Sequence, residues 1–305
     1  MSSLVANRVY ITGAEGFIGG HLSRHLRLCG FDVVASSQDI TQDKSFLADL
    51  KKVSPTHLVH LASISHPKSC DENPDLAKSV NVGGTAAVLN AAAAVDSLAE
   101  FVFASTAQVY GPIGAPEGVL TEESELGPIN FYAETKLQGE ELVTQFSKET
   151  GKKATIFRIF NHVHHTQPAQ TFLSSVYRDL GLSESGAKIP VGNLDLYRDM
   201  GAVSDLIQAL STVIESQNGN REVCEVFNLC NGRPRLLRDL ANELATQMKK
   251  ECLFVLDETR LRKADPIRVV GSYDKFKQSY GWIPKILTDF DLIQSFLTKE
   301  IYVST

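Results

Sequence analysis

Two hydroxyls and one amide stand at the end of an apolar run in the stretch FVFASTAQVYG, residues 101–111. The run is typical of a buried β-strand, and Ser105 and Thr106 close it. Hydroxyls at a strand end are suited to orienting a substrate carbonyl. Two residues past Thr106 the chain has Gln108, whose carboxamide has no titration near neutral pH and so cannot take a proton from carbon. This stretch predicts carbonyl chemistry without a carboxylate or thiol base at position 108.

A tyrosine and a lysine stand four residues apart in the stretch YAETK, residues 132–136. The surrounding stretch NFYAETKLQGEELVTQF predicts a helix, so both side chains project from one face. A phenol has a reference pKa of about 10, and a nearby cation such as Lys136 stabilises its deprotonated form. We therefore expect Lys136 to lower the pKa of Tyr132 for proton transfer. Taken alone, the motif is also compatible with a surface tyrosine and lysine on an amphipathic helix.

Glycines recur in the stretch ITGAEGFIGG, between an apolar strand and an amphipathic helix. Glycine at such a place permits a tight turn and a close backbone approach to a pyrophosphate, and the helix N-terminus provides N–H groups for the phosphates. The pattern predicts a dinucleotide-binding loop. Its predicted contact residues are Gly13, Gly16, Phe17, Ile18 and Gly19.

The second predicted strand ends in Ser36 and Ser37, where an NAD-selective protein usually has an acidic residue against the ribose diol. The serines leave room for a 2′-phosphate, which favours NADP(H). Asp39 stands two residues past Ser37, and its carboxylate is able to bind a diol. NAD(H) therefore remains an open alternative.

Strands and helices alternate through the first half of the chain, and Ala-rich residues 74–97 predict one long helix. This alternation predicts an α/β fold, a doubly wound parallel sheet with right-handed crossovers. After about residue 160 the alternation weakens into loop-rich stretches such as SGAKIPVGNLDLYRDM. We expect a dinucleotide-binding domain over 1–162 and a smaller substrate-binding α/β part over 163–305, with the chain recrossing near 198–232.

Composition limits the classes of partner. The net charge of -6 argues against nonspecific binding of nucleic acid or anionic membranes, and no apolar run approaches the length of about 20 residues that spans a bilayer. The N-terminus lacks the basic segment and apolar stretch of an export signal, so the cytoplasm is the expected location. The five widely spaced cysteines predict reduced thiols.

Three histidines stand close together in the stretch NHVHHTQ: His162, His164 and His165. A metal site is one interpretation, but no Cys, Asp or Glu stands nearby to complete a tetrahedral ligand set. A polar loop that faces the substrate is the favoured interpretation. We predict no metal site.

These motifs together resemble the extended short-chain dehydrogenase/reductase family, the nucleotide-sugar epimerases, dehydratases and reductases. The resemblance covers essentially the whole chain, with its motifs in family order: TGAEGFIGG, HLAS, NVGGT, STAQVYG, YAETK, RIFNH, RD and GW. It implies that Thr106, Tyr132 and Lys136 are the catalytic residues. The further cofactor contacts that it implies are Ile40 with Asp39 near adenine, and Leu61, Ala62, Ser63 and Phe160 on the nicotinamide side.

The C-terminal half most resembles the GDP-4-keto-6-deoxy-D-mannose reductases of that family, through FNH, VGNLDLYRD, FNLCNG and RLRKADPIRVVGS. This resemblance implies NAD(P)H-dependent reduction of the 4-keto group of a nucleotide-diphospho-4-keto-6-deoxy sugar. GDP is the expected nucleotide, and dTDP, CDP and UDP sugars remain open. The substrate contacts that it implies are Ser105, Gln108, Asn161, His162, Arg198, Arg260 and Arg262.

Two stretches depart from that subgroup. VHHTQPAQ replaces a Gly-Pro-Gly turn after FNH, and Met200, Gly201 and Ala202 replace an aromatic residue and a later Asp. Two other functions therefore stay open: a nucleotide-sugar 4-epimerase with tightly bound NAD, and, less favoured, a non-catalytic dinucleotide-sensing protein. The family resemblance also implies a homodimer through the helix at 74–97 and the helix that carries Tyr132.

Overall fold

The computed structural model describes residues 7–112, 118–216, 222–261 and 265–298. The strands are β1 (Arg8–Thr12), β2 (Asp32–Ser36), β3 (His57–His60), β4 (Glu100–Thr106), β5 (Lys153–Ile159), β6 (Asn161–Val163), β7 (Ala187–Val191), β8 (Tyr197–Ala202), β9 (Cys224–Leu229), β10 (Pro234–Leu236), β11 (Cys252–Leu256) and β12 (Arg268–Val269). The α-helices are α1 (Phe17–Leu28), α2 (Asp43–Val53), α3 (Pro67–Glu72), α4 (Pro74–Lys78), α5 (Thr85–Ala93), α6 (Phe131–Thr150), α7 (Phe172–Leu182), α8 (Val203–Glu215), α9 (Leu237–Gln247), α10 (Asp274–Tyr280) and α11 (Asp289–Leu297).

The chain divides into two compact units. The first comprises Met1–Gly111, Leu126–Ile159 and Ile207–Asn228. The second comprises Pro112–Glu125, Phe160–Leu206 and Leu229–Thr305. The assignment of dinucleotide and substrate binding to residues before and after position 162 stays a prediction.

The first unit is built on a six-stranded parallel sheet in the order β2-β1-β3-β4-β5-β9, and the predicted doubly wound fold is confirmed. Apolar strand residues such as Val9, Ile11 and Val102 are fully buried, as expected for strands covered on both faces. The carboxyl ends of β1, β3 and β4 lie side by side at one edge. The glycine stretch, Leu61 and Thr106 therefore meet at the edge where open α/β sheets bind ligands.

Residues 74–97 do not form the single helix that their Ala-rich pattern predicts. The α4 helix is followed by a π-helical turn over Ser79–Gly84 before α5 begins at Thr85. Gly84 lies against Ile40, because a Cβ built at Gly84 would lie 2.6 Å from Ile40 Cδ1. A π-helical turn is wider than an α-helical turn, and the missing side chain of Gly84 leaves room for Ile40 beside it.

The second unit has a four-stranded sheet with β10-β8-β12 in order and β6 paired with β8, and a two-stranded sheet of β11 and β7. The stretch SGAKIPVGNLDLYRDM, expected to be rich in loops, contains both β7 and β8. These strands are short, so their apolar pattern is weak. A separate apolar core stabilises this unit, and its members include Leu173, Leu180, Leu240, Leu244 and Phe296.

All five cysteines are free thiols, as predicted from their spacing. None of the helices in the described part of the chain combines the length and apolar character needed to cross a membrane.

Candidate active site

The loop after β1 brings the glycines close to the backbone after β3. Gly13 has a φ of +67°, and a Cβ built there would lie 2.7 Å from the Ala62 nitrogen. A Cβ at Gly19 would overlap the Gly13 carbonyl, so a side chain is excluded at both positions. The Gly16 N–H donates to the Gly13 carbonyl at 3.0 Å, and α1 begins immediately afterwards. This cradle of bare backbone beside a helix N-terminus fits a dinucleotide pyrophosphate.

The two serines after β2 differ in their surroundings. Ser36 is buried beside Tyr10, with 2.7 Å between the hydroxyl oxygens, and its oxygen accepts the Gln38 N–H at 3.1 Å. Ser37 is exposed. Asp39 Oδ1 accepts from the backbone N–H and the hydroxyl of Thr41, which hold the pKa of Asp39 below its usual range. An exposed hydroxyl and a carboxylate therefore stand within three residues.

Thr106 ends β4 and Tyr132 lies in the first turn of α6, and both side chains are buried. Tyr132 is 8% exposed, and this burial raises its pKa above the ordinary value, while the nearby Thr106 hydroxyl acts in the opposite direction with smaller effect. In the chain by itself, burial outweighs the stabilisation of phenolate, so Tyr132 is protonated at neutral pH. Lowering of the Tyr132 pKa by Lys136 together with a nicotinamidium ring stays a prediction.

Lys136 lies one turn after Tyr132 and contacts the backbone of β4. Its Nζ donates to the Ala104 carbonyl at 2.8 Å and lies 4.9 Å from the centroid of the Phe103 ring. Burial lowers the pKa of Lys136 to about 8. The ammonium group is thus charged at neutral pH, and its stem is held against the strand that ends in Thr106.

Gln108 is fixed between Thr106 and the start of α6. Its backbone N–H donates to Thr106 Oγ1 at 3.3 Å, and its side-chain Oε1 accepts from Asn130 Nδ2 at 2.9 Å. Asn130 in turn caps α6, because its Oδ1 accepts the Ala133 N–H at 2.9 Å. The amide at position 108 therefore belongs to a hydrogen-bonded turn that sets the first residues of the tyrosine helix.

Three predicted contact residues follow β5 in the second unit. Phe160 is buried, and its carbonyl accepts from His162 Nδ1 at 2.9 Å, which leaves Nε2 as the unprotonated nitrogen. Burial lowers the pKa of His162 to about 4, so the ring is neutral at pH 7. Asn161 is exposed and donates to the Asp199 carbonyl at 3.3 Å. This short segment thus pairs with β8 through β6.

The predicted arginines are held by carboxylates. Arg198 pairs with Asp265 at 2.5 Å, with 13% of its side chain exposed. Arg260 lies 3.3 Å from both Asp179 and Asp257. Arg262 lies outside the described residues. Binding of a diphosphate by any of these arginines stays a prediction.

The histidine stretch is only in part the polar loop that the sequence predicts. Residues 161–163 form β6, and His164 is buried with its Nδ1 2.9 Å from the Thr166 hydroxyl. The rings of His164 and His165 stack with centroids 4.1 Å apart. Because β6 pairs with β8, residues 161–163 belong to a sheet of the second unit and do not form a loop.

The family model of the NAD dependent epimerase/dehydratase family matches residues 9–230. The chain belongs to this family. The predicted resemblance is thereby confirmed, since the match begins at β1 and continues beyond the tyrosine helix α6.

Individual members of the epimerase/dehydratase family match almost the whole chain. GDP-6-deoxy-D-mannose reductase from Pseudomonas aeruginosa is 28% identical over 289 residues, which cover 92% of this chain and 93% of that protein. A solved structure of RMD from Pseudomonas aeruginosa complexed with NADPH has a TM-score of 0.85 and 27% identity, covering 95% of this chain and 97% of that one. UDP-glucose 4-epimerase from Rhizobium meliloti is 24% identical and covers 92% of this chain and 93% of its own length.

His60 is a buried histidine that the sequence analysis did not single out. It supports the backbone beside Gly13 and Ala62 in this member of the epimerase/dehydratase family. His60 Nδ1 lies 2.7 Å from the Thr12 hydroxyl, and Nε2 lies 3.0 Å from the Thr85 hydroxyl. Thr85 donates its proton to the Asn81 carbonyl, so His60 Nε2 carries the hydrogen and Nδ1 accepts from Thr12. Burial lowers the pKa of His60 to about 3, which keeps the ring neutral. Thr12 also accepts the Ala62 N–H.

Asn81 is a second residue that the sequence analysis missed, although it begins the motif NVGGT. Its Oδ1 accepts the Ile64 N–H at 2.8 Å, and its Nδ2 donates to the Ile64 carbonyl at 3.1 Å and to Thr135 Oγ1 at 3.0 Å. Thr135 stands directly before Lys136 in α6. Asn81 therefore joins the loop after β3 to α6.

A buried ionic network lies behind the end of β4. The Ser105 hydroxyl donates to Glu140, and Arg158 donates to the same carboxylate. Arg158 Nη1 also donates to the Tyr110 hydroxyl at 3.2 Å, and that hydroxyl donates to Asn228 at 2.6 Å. Ser105 therefore contributes to fixing α6 on β4, and its contact with substrate stays a prediction.

Proposed function

We propose that this chain is an NAD(P)H-dependent oxidoreductase that reduces the 4-keto group of a nucleotide-diphospho-4-keto-6-deoxy sugar, with GDP as the first expected nucleotide. The observation that carries the proposal is the buried, protonated Tyr132 beside the Thr106 hydroxyl at the end of β4. A ketone reductase needs a proton donor beside a group that orients the carbonyl oxygen, and this pair has both properties.

The glycine cradle fits a nicotinamide dinucleotide. The N–H groups at the start of α1 would bind the pyrophosphate, and the backbone around Ala62 would line the ribose on the nicotinamide side. When bound, the dinucleotide supplies the hydride that the sugar C4 receives. The exposed hydroxyl of Ser37 favours NADP(H), in keeping with the NADPH named for the Pseudomonas aeruginosa structure.

Each catalytic side chain has a separate task in this proposal. Thr106 orients the carbonyl oxygen through its hydroxyl, and Tyr132 gives its phenolic proton to that oxygen as negative charge develops on it. Lys136, charged below its pKa of about 8, binds the cofactor ribose and stabilises the tyrosinate that the transfer leaves behind. The proton returns to Tyr132 from solvent before the next turnover.

Position 108 separates a reductase from a dehydratase. A 4,6-dehydratase removes a proton from C5 and needs a general base near that carbon, whereas Gln108 has a neutral amide engaged with Asn130. The chain therefore uses a ready-made 4-keto sugar, formed by a separate dehydration.

A nucleotide-sugar 4-epimerase is the second candidate, because UDP-glucose 4-epimerases also match almost the full chain. Such an enzyme first oxidises its substrate and needs Tyr132 as a deprotonated base. Burial raises the pKa of Tyr132 and so favours the donor role.

The second unit carries the proposed substrate contacts Asn161, His162, Arg198, Arg260 and Arg262. Guanidinium groups suit diphosphate oxygens because they donate in a planar fork. Arg198 would have to exchange its partner Asp265 for phosphate oxygens in order to serve this role. Its replacement by Met would then raise KM and leave kcat near the parent value.

Consumption of NADPH with a panel of 4-keto-6-deoxy sugar nucleotides tests the proposal. The parent enzyme should oxidise NADPH with at least one member of a panel that carries GDP, dTDP, CDP or UDP, and Tyr132→Phe should not. NAD that stays bound through purification, together with interconversion of 4-epimers without net NADPH consumption, would instead establish the epimerase. Dinucleotide binding without turnover of either kind would leave only the sensing protein.

A further inference from the structure

A histidine, a cysteine and a glutamate converge on the first unit at the ends of two helices. His25 and Cys29 stand one turn apart at the end of α1, with 3.7 Å between Nε2 and Sγ. Glu215 is the last residue of α8. One possible ligand atom from each of the three lies within 4.8 Å of the others. None of these residues takes part in the proposed reaction.

The three ligand types and their spacing match a divalent transition metal. In a tetrahedral zinc site each of the four coordinating atoms lies about 2.0 to 2.3 Å from the ion. The ligand atoms of His25, Cys29 and Glu215 lie within 4.8 Å of one another, so small side-chain rotations would bring all three to coordinating distance. We propose that His25, Cys29 and Glu215 bind a thiophilic divalent cation, zinc or a similar ion, with water in the fourth position.

The electrostatic surroundings favour a cation at this place. The C-terminal end of an α-helix carries partial negative charge on its last carbonyl groups. Cys29 is the C-terminal cap of α1, and Gly30 follows it with a φ of +86°. Glu215 ends α8. Two helix C-termini and one carboxylate therefore contribute negative potential to the same small volume.

The carboxylate and the imidazole are prepared for coordination. The buried Ser211 hydroxyl donates to Glu215 Oε1 at 2.5 Å and so orients the carboxylate from one turn earlier in α8. Such hydrogen bonds to a ligand tune metal affinity. His25 Nε2 lies 3.7 Å from Cys29 Sγ, so the imidazole and the thiol already face one another.

Coordination has a defined proton balance. A thiol binds a metal ion as the thiolate, so Cys29 must lose its proton when the ion binds. Binding forms the metal–sulfur bond, releases the thiol proton to solvent and changes no oxidation state. The affinity should accordingly increase with pH. The bound ion would connect α1, which begins at the dinucleotide loop, with α8, and so stabilise the first unit.

Metal titration of the full-length protein tests the site. Chelator-treated protein is titrated with Zn²⁺ by calorimetry and with Co²⁺ by absorption, because a cobalt–thiolate bond gives a charge-transfer band in the near ultraviolet. We expect one ion per chain, the charge-transfer band and a higher Tm with zinc. Cys29→Ser should remove the band, and Glu215→Gln should weaken zinc binding at least about tenfold.

Cys252→Ser provides the matched control, since this thiol belongs to β11 in the second unit. It should keep the band and the parent affinity. NADPH affinity, measured in parallel, should be unchanged in every variant and shows that each is folded. Absence of stoichiometric binding by the parent, or a cobalt band that survives in Cys29→Ser, would overturn the proposal. This readout is independent of sugar reduction.

Discussion

Glu140 and Arg158 form a buried ion pair between α6 and β5, with 2.8 Å from Nη2 to Oε2 and 6% of each side chain exposed. Tyr132, Lys136 and Glu140 follow one another at four-residue intervals, so they lie along one face of α6. The same carboxylate accepts from Ser105, the neighbour of Thr106. The ion pair therefore fixes the part of α6 that follows Tyr132 and Lys136 on the strand that ends in Thr106.

Glu140→Gln should destabilise the protein and impair turnover. The substitution removes the negative charge and leaves the Arg158 guanidinium buried without a counter-charge. We expect the free energy of unfolding to fall by about 3 to 5 kcal/mol in urea titrations. The residual enzyme should show a lower kcat with little change in KM, because the helix position changes and the substrate contacts do not.

Glu141→Gln is the matched control, because Glu141 is the exposed neighbour in the same helix. It should change the free energy of unfolding by less than about 0.5 kcal/mol. Equal stability of the two variants would show that the ion pair does not fix α6.

Tyr132→Phe should abolish turnover and keep dinucleotide affinity within a few fold. Only the phenolic proton is removed, and loss of a general acid lowers kcat by about 10² to 10⁴-fold. Fluorescence titration with NADPH measures affinity separately from kcat. Tyr177→Phe, at an exposed position in α7, is the control and should behave as the parent. Near-parental turnover of Tyr132→Phe would mean that another group donates the proton.

Lys136→Met should stabilise the protein at pH 7 while removing activity. Burial lowers the Lys136 pKa from 10.5 to about 8, so the folded state binds this proton less tightly than the unfolded chain. Keeping the charged form buried below pH 8 costs about 3 kcal/mol, an upper value for the stability gained by the substitution. Activity should be lost because no cation holds the ribose and stabilises the tyrosinate.

The stability difference between Lys136→Met and the parent should decline with pH. Above pH 8 the folded parent releases the proton that the unfolded chain still holds, so parent stability rises relative to the variant until about pH 10.5. Urea unfolding across this range measures the trend. A difference that stays constant from pH 7 to about pH 10.5 would contradict the lowered pKa.

The enzyme should not produce its own 4-keto substrate. Incubation with NADP⁺ or NAD⁺ and GDP-mannose, dTDP-glucose or CDP-glucose should give no 4-keto-6-deoxy product by mass spectrometry, because Gln108 cannot remove the C5 proton. Product formation at enzymatic rates would identify another residue as the carbon base. His162, His164 and His165 would be the first positions to replace.

Assembly through the helical residues 74–97 and α6 should give a homodimer. The exposed Gly83 has space for a side chain within one chain, since a Cβ there meets only the Lys78 carbonyl at 4.0 Å. Gly83→Arg should therefore fold as a monomer if this surface contacts a second copy. Gly181→Arg, at an open position in α7, should sediment as the parent. A parent that sediments as a monomer at micromolar concentration would refute the homodimer.

The parallel sheet was predictable because its strands are short apolar runs punctuated by glycine and polar turns. Helical spacing predicted that Tyr132 and Lys136 share one face of a helix, and the order of the motifs along the chain, rather than that spacing, favoured a site over a surface pair. The sign of the Tyr132 pKa shift in the chain by itself was not predictable, because desolvation depends on tertiary burial that neighbouring residues in the chain do not encode.

Polar residues inside apolar patterns were the main omission. His60 stands in the strand motif HLVH, and its partners Thr12 and Thr85 lie 48 and 25 residues away. These side chains meet only in the folded sheet. The pattern of apolar residues along the sequence therefore does not predict their hydrogen bonds. The same reason hid the contact between Tyr110 and Asn228, which are 118 residues apart. The π-helical turn was missed because its residues fit an Ala-rich helix equally well.

Transfer of deuterium from NADPH labelled at nicotinamide C4 tests the central claim most directly. The reaction contains the enzyme, the labelled NADPH and a 4-keto-6-deoxy sugar nucleotide, and the product is analysed by NMR. We predict one deuterium at C4 of the product sugar, with one equivalent of NADPH oxidised, and no transfer by Tyr132→Phe. Absence of label at C4 in the presence of the parent enzyme, with unlabelled interconversion of 4-epimeric nucleotide sugars, would contradict the reductase.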